Sequence, residues 1–249
     1  MTPNRVVAII QARMGSTRLP GKILLPLGGQ SVLANVVART RRAALVDEVI
    51  VATTTSTQDE VVVSESKRLG VAVYRGSEDD VLSRYVMAAR ESCASAVVRI
   101  TSDCPLLDSS VVDQVIRRYA DSAGELDYVS NTLVRTYPRG LDVEVFSTQA
   151  LETAAANAAA PSDREHVTPF FQHNPGQFRL ESVERLPDLS HHRWTLDTPE
   201  DYRFMLQVFM GVPITVESTP LFTEVIRYLN GHSEISAINA CVQQKVLGA

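Results

Sequence analysis

The chain contains 249 residues, of which 45% are hydrophobic and 21% are charged, and its formal net charge is −5. The acidic balance argues against a nucleic-acid partner, and the N-terminal apolar run is too short for a membrane span or a secretory signal. Three widely separated cysteines without a CxxC pair indicate neither a disulfide framework nor a zinc site, so we expect a cytoplasmic protein.

In the first half of the chain, short runs of Val and Ile alternate with amphipathic stretches. The expected elements are a strand at 6–10, a helix at 31–44, a strand at 48–53, a helix from a Thr57/Glu60 capping box to Gly70, a strand at 71–75, a helix capped by Ser77 and Asp80, a strand at 96–101 and a helix at 109–119. Nearly continuous Val and Ile runs are typical of strands covered on both faces. The pattern therefore predicts an α/β fold with a mostly parallel, doubly wound sheet.

The pattern changes after about residue 128. Alternating polar and apolar residues at 132–146 predict an antiparallel extension, followed by an Ala-rich helix at 148–160 and a strand at 178–186. We expect one domain over 1–249, in which an insertion at about 132–186 covers a crevice, makes a dimer contact, or does both. The chain is expected to return to the main sheet near Trp194 and to end in helices at 198–210 and 219–229.

Residues 11–22, QARMGSTRLPGK, form a loop directly after the first expected strand. The loop contains three cations, one serine between them and two glycines: Arg13, Arg18, Lys22, Ser16, Gly15 and Gly21. Glycines allow a tight turn that brings N–H groups close to anionic oxygens, and the cations neutralise charge. The spacing matches neither a Walker A motif nor a dinucleotide fingerprint. The loop therefore predicts a polyphosphate site, and any magnesium ligands must come from elsewhere.

Three polar loops follow expected strands, at 11–22, 53–55 and 102–108. Ligands of open α/β sheets bind beyond the carboxyl ends of the strands, so all three loops are expected to face one crevice. Chance placement would scatter such loops over both edges of the sheet.

The pattern A-R-x-x-S-x-x-L-P-x-K, from Ala12 to Lys22, resembles the signature of cytidylyltransferases that make CMP-activated acidic sugars. Four later blocks, SEDDVLSRY, SDCPLLD, RTYPRGLDVEVF and REHVTPF, are similar to the spore coat polysaccharide biosynthesis protein F branch. The resemblance extends from about residue 6 to 171, with a further match at Asp197. It implies a GT-A-like, Rossmann-type fold and transfer of CMP from CTP to an anionic small-molecule acceptor, with release of pyrophosphate, in polysaccharide biosynthesis.

The resemblance also implies roles for individual residues. Asp103 and Asp197 match the family's metal-binding aspartates, and two carboxylates with phosphate oxygens and water suffice for Mg²⁺. Asp197 is free for this because Thr198 can cap the following helix. Arg13 and Lys22 would act with Asp103 in catalysis. The expected nucleotide-binding residues are Ala12, Arg13, Ser16, Arg18, Lys22, Thr53, Thr54, Arg84 and Ser102.

Acceptor binding is expected from charged and aromatic residues of the second half, because arginine can grip a carboxylate while Asp and Glu orient sugar hydroxyls. These residues are Arg135, Tyr137, Arg139, Asp142, Glu144, Glu165 and His166. No single general base is evident, and His166 is the best histidine candidate. A 2-keto sugar acid, another polyol acid and a phosphonate are all compatible acceptors. For the oligomeric state, we expect a homodimer.

Three other functions are compatible with parts of the sequence. A GT-A glycosyltransferase would normally carry a DxD pair, but Cys104 and Pro105 follow Asp103. A sugar-1-phosphate nucleotidyltransferase would carry a more glycine-rich opening. A non-catalytic nucleotide-binding protein would be free to lose Lys22 or Asp103, and both are present.

Overall fold

The computed structural model describes residues 5–214 and 220–244. The strands are β1 (Val6–Gln11), β2 (Pro26–Leu27), β3 (Gln30–Ser31), β4 (Glu48–Thr54), β5 (Ala72–Gly76), β6 (Ala96–Thr101), β7 (Tyr128–Ser130), β8 (Glu144–Ser147) and β9 (Leu180–Ser182). The helices are α1 (Val32–Arg41), α2 (Glu60–Arg68), α3 (Val81–Glu91), α4 (Ser109–Asp121), α5 (Thr148–Asn157), α6 (Pro161–His166), α7 (Pro169–His173), α8 (Pro199–Gly211), α9 (Phe222–Asn230) and α10 (Ser233–Ser236). None of these helices is long and apolar enough to cross a membrane.

The main sheet has seven strands in the order β5-β4-β1-β6-β8-β7-β9. Strands β5, β4, β1 and β6 are parallel, whereas β8 runs antiparallel to both β6 and β7. Strands β2 and β3 form a separate antiparallel pair. The mostly parallel α/β sheet with an antiparallel part is confirmed. Because β4, β1 and β6 are adjacent and parallel, the loops that follow them lie at one edge of the sheet, as predicted.

Both faces of the sheet are covered, which explains the continuous apolar strands. In β1, Ala8 and Ile10 pack into one hydrophobic cluster with α1, α4 and α8. Val7 and Ile9 pack into the opposite cluster with α3 and α5. Side chains alternate between the faces of a strand, so a strand buried on both sides needs apolar residues at every position.

Two expected helix starts have different outcomes. Asp80 caps α3 by accepting from the Ser83 N–H at 2.9 Å, and the Ser77 hydroxyl accepts from the Asp80 N–H, as predicted. The prediction of a capping box formed by Thr57 and Glu60 is wrong. Residues Thr57–Asp59 form a 3₁₀ turn before α2, and no side chain caps either element.

The predicted antiparallel extension at 132–146 is wrong in its extent. Only its last three residues belong to a strand, β8, and residues 131–143 form a loop between β7 and β8. The alternation of charged and apolar residues in this loop arises because Leu141 and Val143 are buried in the core while Asp142 binds Arg135. Alternation alone therefore did not distinguish a strand from a loop that packs every second residue.

Two further elements of the second half are shorter than expected, whereas α8 matches the expected helix at 198–210 within one residue. The Ala-rich helix ends at Asn157, and the expected strand at 178–186 is the three-residue β9, parallel to β7. Helices α6 and α7 were not predicted, although each begins with a proline, which favours the first helical position.

The C-terminal region also differs in detail. The segment at Trp194 pairs by an isolated bridge between Arg139 and Arg193 and does not rejoin the main sheet. Gly140, at φ 106°, permits this approach, because a Cβ there would lie 2.4 Å from the Trp194 carbonyl oxygen. The last expected helix corresponds to α9, while its expected start at residue 219 lies outside the described residues.

Candidate active site

The loop after β1 is fixed by a hydrogen bond near its start and by a glycine turn near its end. The Met14 backbone N–H donates to Asp59 Oδ1 at 2.7 Å. Gly21 adopts a left-handed φ of 68° immediately before the 3₁₀ turn Lys22–Leu24, which glycine does without steric cost. Gly15 has no such φ. Gly15 instead lies at the centre of a tight turn in which the Ser16 N–H donates to the Met14 carbonyl at 2.8 Å, so both glycines lie in tight turns, as expected.

The Lys22 ammonium lies between two carboxylates from distant parts of the chain. Its Nζ is 2.6 Å from Asp103 Oδ2, in the loop after β6, and 2.7 Å from Asp197 Oδ1, just before α8. Burial alone would lower the pKa of Lys22, but the charges of Asp103 and Asp197 outweigh burial and raise that pKa. Burial alone would raise the pKa of Asp103, whereas Lys22 lowers it. Lys22 and Asp103 are therefore both charged at neutral pH.

Asp197 faces two further cations. Its Oδ2 lies 3.1 Å from Arg18 Nη2 and 3.1 Å from Arg193 Nη2. The predicted cap of α8 is present, because the Thr198 hydroxyl accepts from the Asp201 N–H and the Asp201 carboxylate accepts from the Thr198 N–H. The carboxylate of Asp197 is thus not used for capping.

Arg13 connects the loop to the segment before α3 and to α6. Its guanidinium lies 3.6 Å from Glu165 and 3.9 Å from Glu78, and the Arg13 side chain is about two-fifths exposed. The Ser16 hydroxyl accepts from the Leu19 N–H at 3.4 Å. An expected nucleotide residue, Arg13, and an expected acceptor residue, Glu165, are therefore in direct contact.

A cavity of about 290 Å³ lies beside this loop and is here called the loop cavity. The predicted site residues that line it are Arg13, Ser16, Arg18, Lys22, Arg84, Ser102, Asp103, Glu165, His166 and Asp197. Residues from five separate segments of the chain thus meet at the predicted sheet edge.

Arg84 is the most buried cation of the loop cavity, with 2% of the residue exposed. Burial lowers its pKa, and its Nε and Nη1 donate to no acceptor among the residues that the structure describes. A buried, unmatched guanidinium is costly unless a partner binds it. Arg84 therefore presents unmet donors beside the loop cavity.

Three predicted nucleotide residues lie behind the cavity wall. Ala12, Thr53 and Thr54 are buried and line neither the loop cavity nor the larger one described next. The Thr54 hydroxyl donates to Asp59, the same carboxylate that holds Met14. A role of Thr53 or Thr54 in base selection stays a prediction.

A larger cavity of about 660 Å³, here called the central cavity, adjoins the loop cavity. The residues that line both are Gln11, Arg18, Thr101, Asp103, Glu165, His166 and Asp197. The predicted acceptor residues that line the central cavity are Arg135, Arg139, Asp142, Glu144, Glu165 and His166. Asp103 and Asp197 therefore lie where the two cavities meet.

The charged residues of the central cavity are mostly paired with one another. Arg99 of β6 and Glu144 of β8 are direct cross-strand partners and form a buried ion pair, and the Tyr128 hydroxyl donates to Glu144 at 2.6 Å. Arg135 binds Asp142 through two hydrogen bonds of 2.6 and 2.8 Å. These pairs fix the orientation of the carboxylates.

The structure separates the predicted acceptor residues into different environments. Tyr137 is buried, donates to Gln114 at 2.9 Å, and does not line the central cavity. Arg139 forms no ion pair with any described residue, whereas Arg135 is already bound to Asp142. Arg99 was missed, although a charge within the apolar run AVVRIT was a detectable signal.

The donor set at the meeting point of the cavities fits a magnesium ion in part. Within residues 5–214 and 220–244, no group of three or more His, Cys, Asp or Glu side chains is arranged to hold a metal ion. The pair Asp103 and Asp197 nevertheless matches the one or two carboxylates that Mg²⁺ takes together with phosphate oxygens and water. Lys22 contacts one oxygen of each carboxylate, so it competes with a metal ion for this pair.

The family model for cytidylyltransferases matches residues 7–231, and the chain belongs to this family of CTP-using nucleotidyltransferases. The spore coat polysaccharide biosynthesis protein SpsF of Bacillus subtilis is 34% identical over 94% of this chain and 99% of its own length. A 3-deoxy-manno-octulosonate cytidylyltransferase of Anaeromyxobacter dehalogenans is 30% identical over 79% of this chain and 94% of its own. A cytidylyltransferase structure from Leptospira borgpetersenii matches with a TM-score of 0.89 and 32% identity, covering 97% of this chain and 99% of the other.

Proposed function

We propose that this protein transfers the cytidylyl group of CTP to an anionic, hydroxylated small molecule and releases pyrophosphate. The observation that carries the proposal is the position of Lys22 between Asp103 and Asp197, where the loop cavity meets the central cavity. A triphosphate in the loop cavity and an acceptor in the central cavity would meet at these three groups. The match to 3-deoxy-manno-octulosonate cytidylyltransferases supports an acidic sugar as the acceptor.

The chemistry assigned to the loop cavity is binding and charge stabilisation. An acceptor oxygen attacks the α-phosphorus, a new P–O bond forms, and the bond to the β-phosphate oxygen breaks, so pyrophosphate leaves. Arg13, Arg18 and Lys22 hold the phosphate oxygens on which negative charge increases. For Arg13 and Lys22, this means exchanging a carboxylate partner for a phosphate.

The acceptor proton needs an exit from the central cavity. Glu165 and His166 line both cavities and lie on the same short helix, α6. Either group is placed to take the proton, and neither is assigned as the general base.

Asp103 and Asp197 would hold Mg²⁺. When bound, the ion would neutralise phosphate charge and favour ionisation of the acceptor hydroxyl. Without a bound ion, Lys22 bridges the two carboxylates and compensates their charge.

On the acceptor side, Arg139 is the arginine proposed to grip the acceptor anion. Arg135 already has both of its terminal nitrogens on Asp142, so it orients Asp142 for sugar hydroxyls. Glu144 is held by Arg99 and Tyr128 and presents a fixed acceptor at the floor of the cavity.

The reaction is tested by mixing the protein with Mg²⁺, CTP, UTP, GTP or ATP and a panel of acidic acceptors, and by measuring pyrophosphate. We expect release with CTP and an acidic acceptor, and almost none from Asp103→Asn or Asp197→Asn at an unchanged melting temperature. Asp113→Asn, in α4 and outside both cavities, is the matched control. Normal turnover of Asp103→Asn would contradict the metal role, and preference for another nucleotide would contradict the choice of CTP.

The sequence-based expectations of a cytoplasmic location, a homodimer and an insertion at 132–186 that binds acceptor or contacts the partner remain part of this proposal. The relation to the spore coat polysaccharide biosynthesis protein of Bacillus subtilis supports a place in surface polysaccharide synthesis.

A further inference from the structure

A third cavity, of about 530 Å³, lies between residues 190–194 and the C-terminal helices, and is here called the C-terminal cavity. It is separate from the loop cavity but shares Arg139 and Gln244 with the central cavity. Its other polar lining residues are Ser190, His191, His192, Arg193, Asn230, Ser233, Ser236 and Asn239. No Asp or Glu is among the described residues that line it.

The charges around the C-terminal cavity favour an anion. Arg193 is neutralised, because it binds Asp201 and Asp197 at 2.9 and 3.1 Å. Arg139 forms no ion pair with a described residue, and burial together with the nearby Arg135 lowers its pKa. A half-buried arginine that lacks a carboxylate partner is the typical counter-charge for a phosphate or carboxylate ligand.

The rest of the lining supplies hydrogen-bonding groups over an apolar base. Hydroxyls and amides lie on α9, on α10 and in residues 190–193, while Phe204 and Leu229 provide apolar surface. The buried Trp194 also lines this cavity, and its indole N–H has no acceptor among the described residues. A few polar groups over an apolar surface are characteristic of small-molecule sites.

We infer that the C-terminal cavity is a second ligand site, which binds a hydroxylated anion such as a sugar phosphate or a sugar acid against Arg139. This site goes beyond the proposed transfer reaction. The ligand is either the far end of a long acceptor that also occupies the central cavity or a separate small molecule. Both have the same chemistry, and the two sources predict different responses to mutation.

Trp194 is the single tryptophan of the chain, so its fluorescence reports on this part of the molecule alone. Trp194 and Arg139 both line the C-terminal cavity, and the Trp194 backbone N–H donates to the Arg139 carbonyl at 2.6 Å, so a ligand bound there would change the surroundings of the indole. The test uses the full chain without CTP, titrated with inorganic phosphate, glucose 6-phosphate and lactobionate, a disaccharide acid. Uncharged glucose is the control.

We expect a saturable fluorescence change with glucose 6-phosphate or lactobionate and none with glucose. In the double variant His191→Ala/Ser236→Ala, the Kd should rise about tenfold or more, because two hydrogen-bonding groups are lost. His173→Ala, on α7 and away from this cavity, should leave the Kd unchanged. A response that is absent, or that is identical in the double variant, would overturn the inference.

A second arm distinguishes the two ligand sources. Gln172 lines the central cavity but not the C-terminal cavity. If the ligand spans both cavities, Gln172→Ala also weakens the binding of lactobionate. If the ligand is separate, Gln172→Ala changes neither the Kd of lactobionate nor that of glucose 6-phosphate. Since none of these measurements requires turnover, a negative result leaves the proposed transfer reaction to be judged by pyrophosphate release.

Discussion

The loop cavity and the floor of the central cavity, formed by Arg99 and Glu144, both contain arginine and carboxylate groups, but their charges are paired in different ways. In the loop cavity, Lys22 binds a carboxylate of another loop, Asp103, and Arg13 lies beside Glu165 of α6, with about two-fifths of the Arg13 side chain exposed. At the floor, Arg99 and Glu144 face each other from neighbouring strands and are almost fully enclosed.

The difference indicates two uses of an ion pair. A pair formed across loops can exchange its partner for a phosphate at moderate cost, because the backbone of a loop can adjust. A pair fixed in sheet register cannot move, and leaving one of its members alone in the interior is expensive. The loop cavity is therefore suited to bind charge, and the floor to hold a fixed shape.

The largest expected effect on stability comes from the floor. Glu144→Gln removes the partner of the buried Arg99 and should lower the free energy of unfolding by about 3–5 kcal/mol. The matched control is Glu152→Gln, which breaks the exposed pair with Arg90 and should cost less than about 1 kcal/mol. Urea denaturation measures both. Equal losses in the two variants would contradict the distinction between the regions.

Lys22→Ala is expected to affect activity far more than folding. The loss of transition-state stabilisation should be about 2–4 kcal/mol, measured from kcat/KM for pyrophosphate release. Mg²⁺ alone should raise the melting temperature of this variant more than that of the wild type, because Asp103 and Asp197 lose their competing ammonium. Lys67→Ala, at the end of α2, serves as the control. Wild-type turnover of Lys22→Ala would show that Lys22 does not act on the phosphates.

Nucleotide discrimination should be smaller. A site that accepts a hydrogen bond from the cytosine amino group leaves that acceptor unpaired with UTP, at a cost of about 1–3 kcal/mol. CTP should therefore bind at least about tenfold more tightly than UTP. Arg84→Ala should weaken CTP binding because it removes unmet donors of the loop cavity, without changing Mg²⁺ binding. Calorimetric titrations measure both, and equal affinities for CTP and UTP would count against a cytidylyl donor.

Cys104→Ser should have the smallest effect. Burial, followed by the charge of Asp103, raises the pKa of the Cys104 thiol, so the thiol stays protonated at neutral pH and is a poor nucleophile. Turnover of this variant should equal that of the wild type within error. An inactive Cys104→Ser with an unchanged melting temperature would reveal a thiol step.

Much of the α/β framework could be predicted because its signals are local. The apolar runs of β1, β4 and β6, and the caps at Asp80 and Thr198, depend on a few neighbouring residues. The order of strands and loops along the chain then placed the polar loops at one edge. The prediction of a strand failed for residues 131–143, because the burial of Leu141 and Val143 produces the same alternation of apolar and polar residues as a strand.

The sequence by itself determined the sheet type, the edge where the site lies and most of its charged residues. Only the tertiary structure decided which charges meet: Lys22 binds Asp197, 175 positions away, and Arg99 meets Glu144 through the register of β6 and β8. It also placed Thr53 and Thr54 behind the cavity wall and Arg139 between two cavities. The physical reason is the sequence separation of the interacting residues. Helix propensity and capping act over one or two turns, whereas an ion pair depends on how distant segments pack.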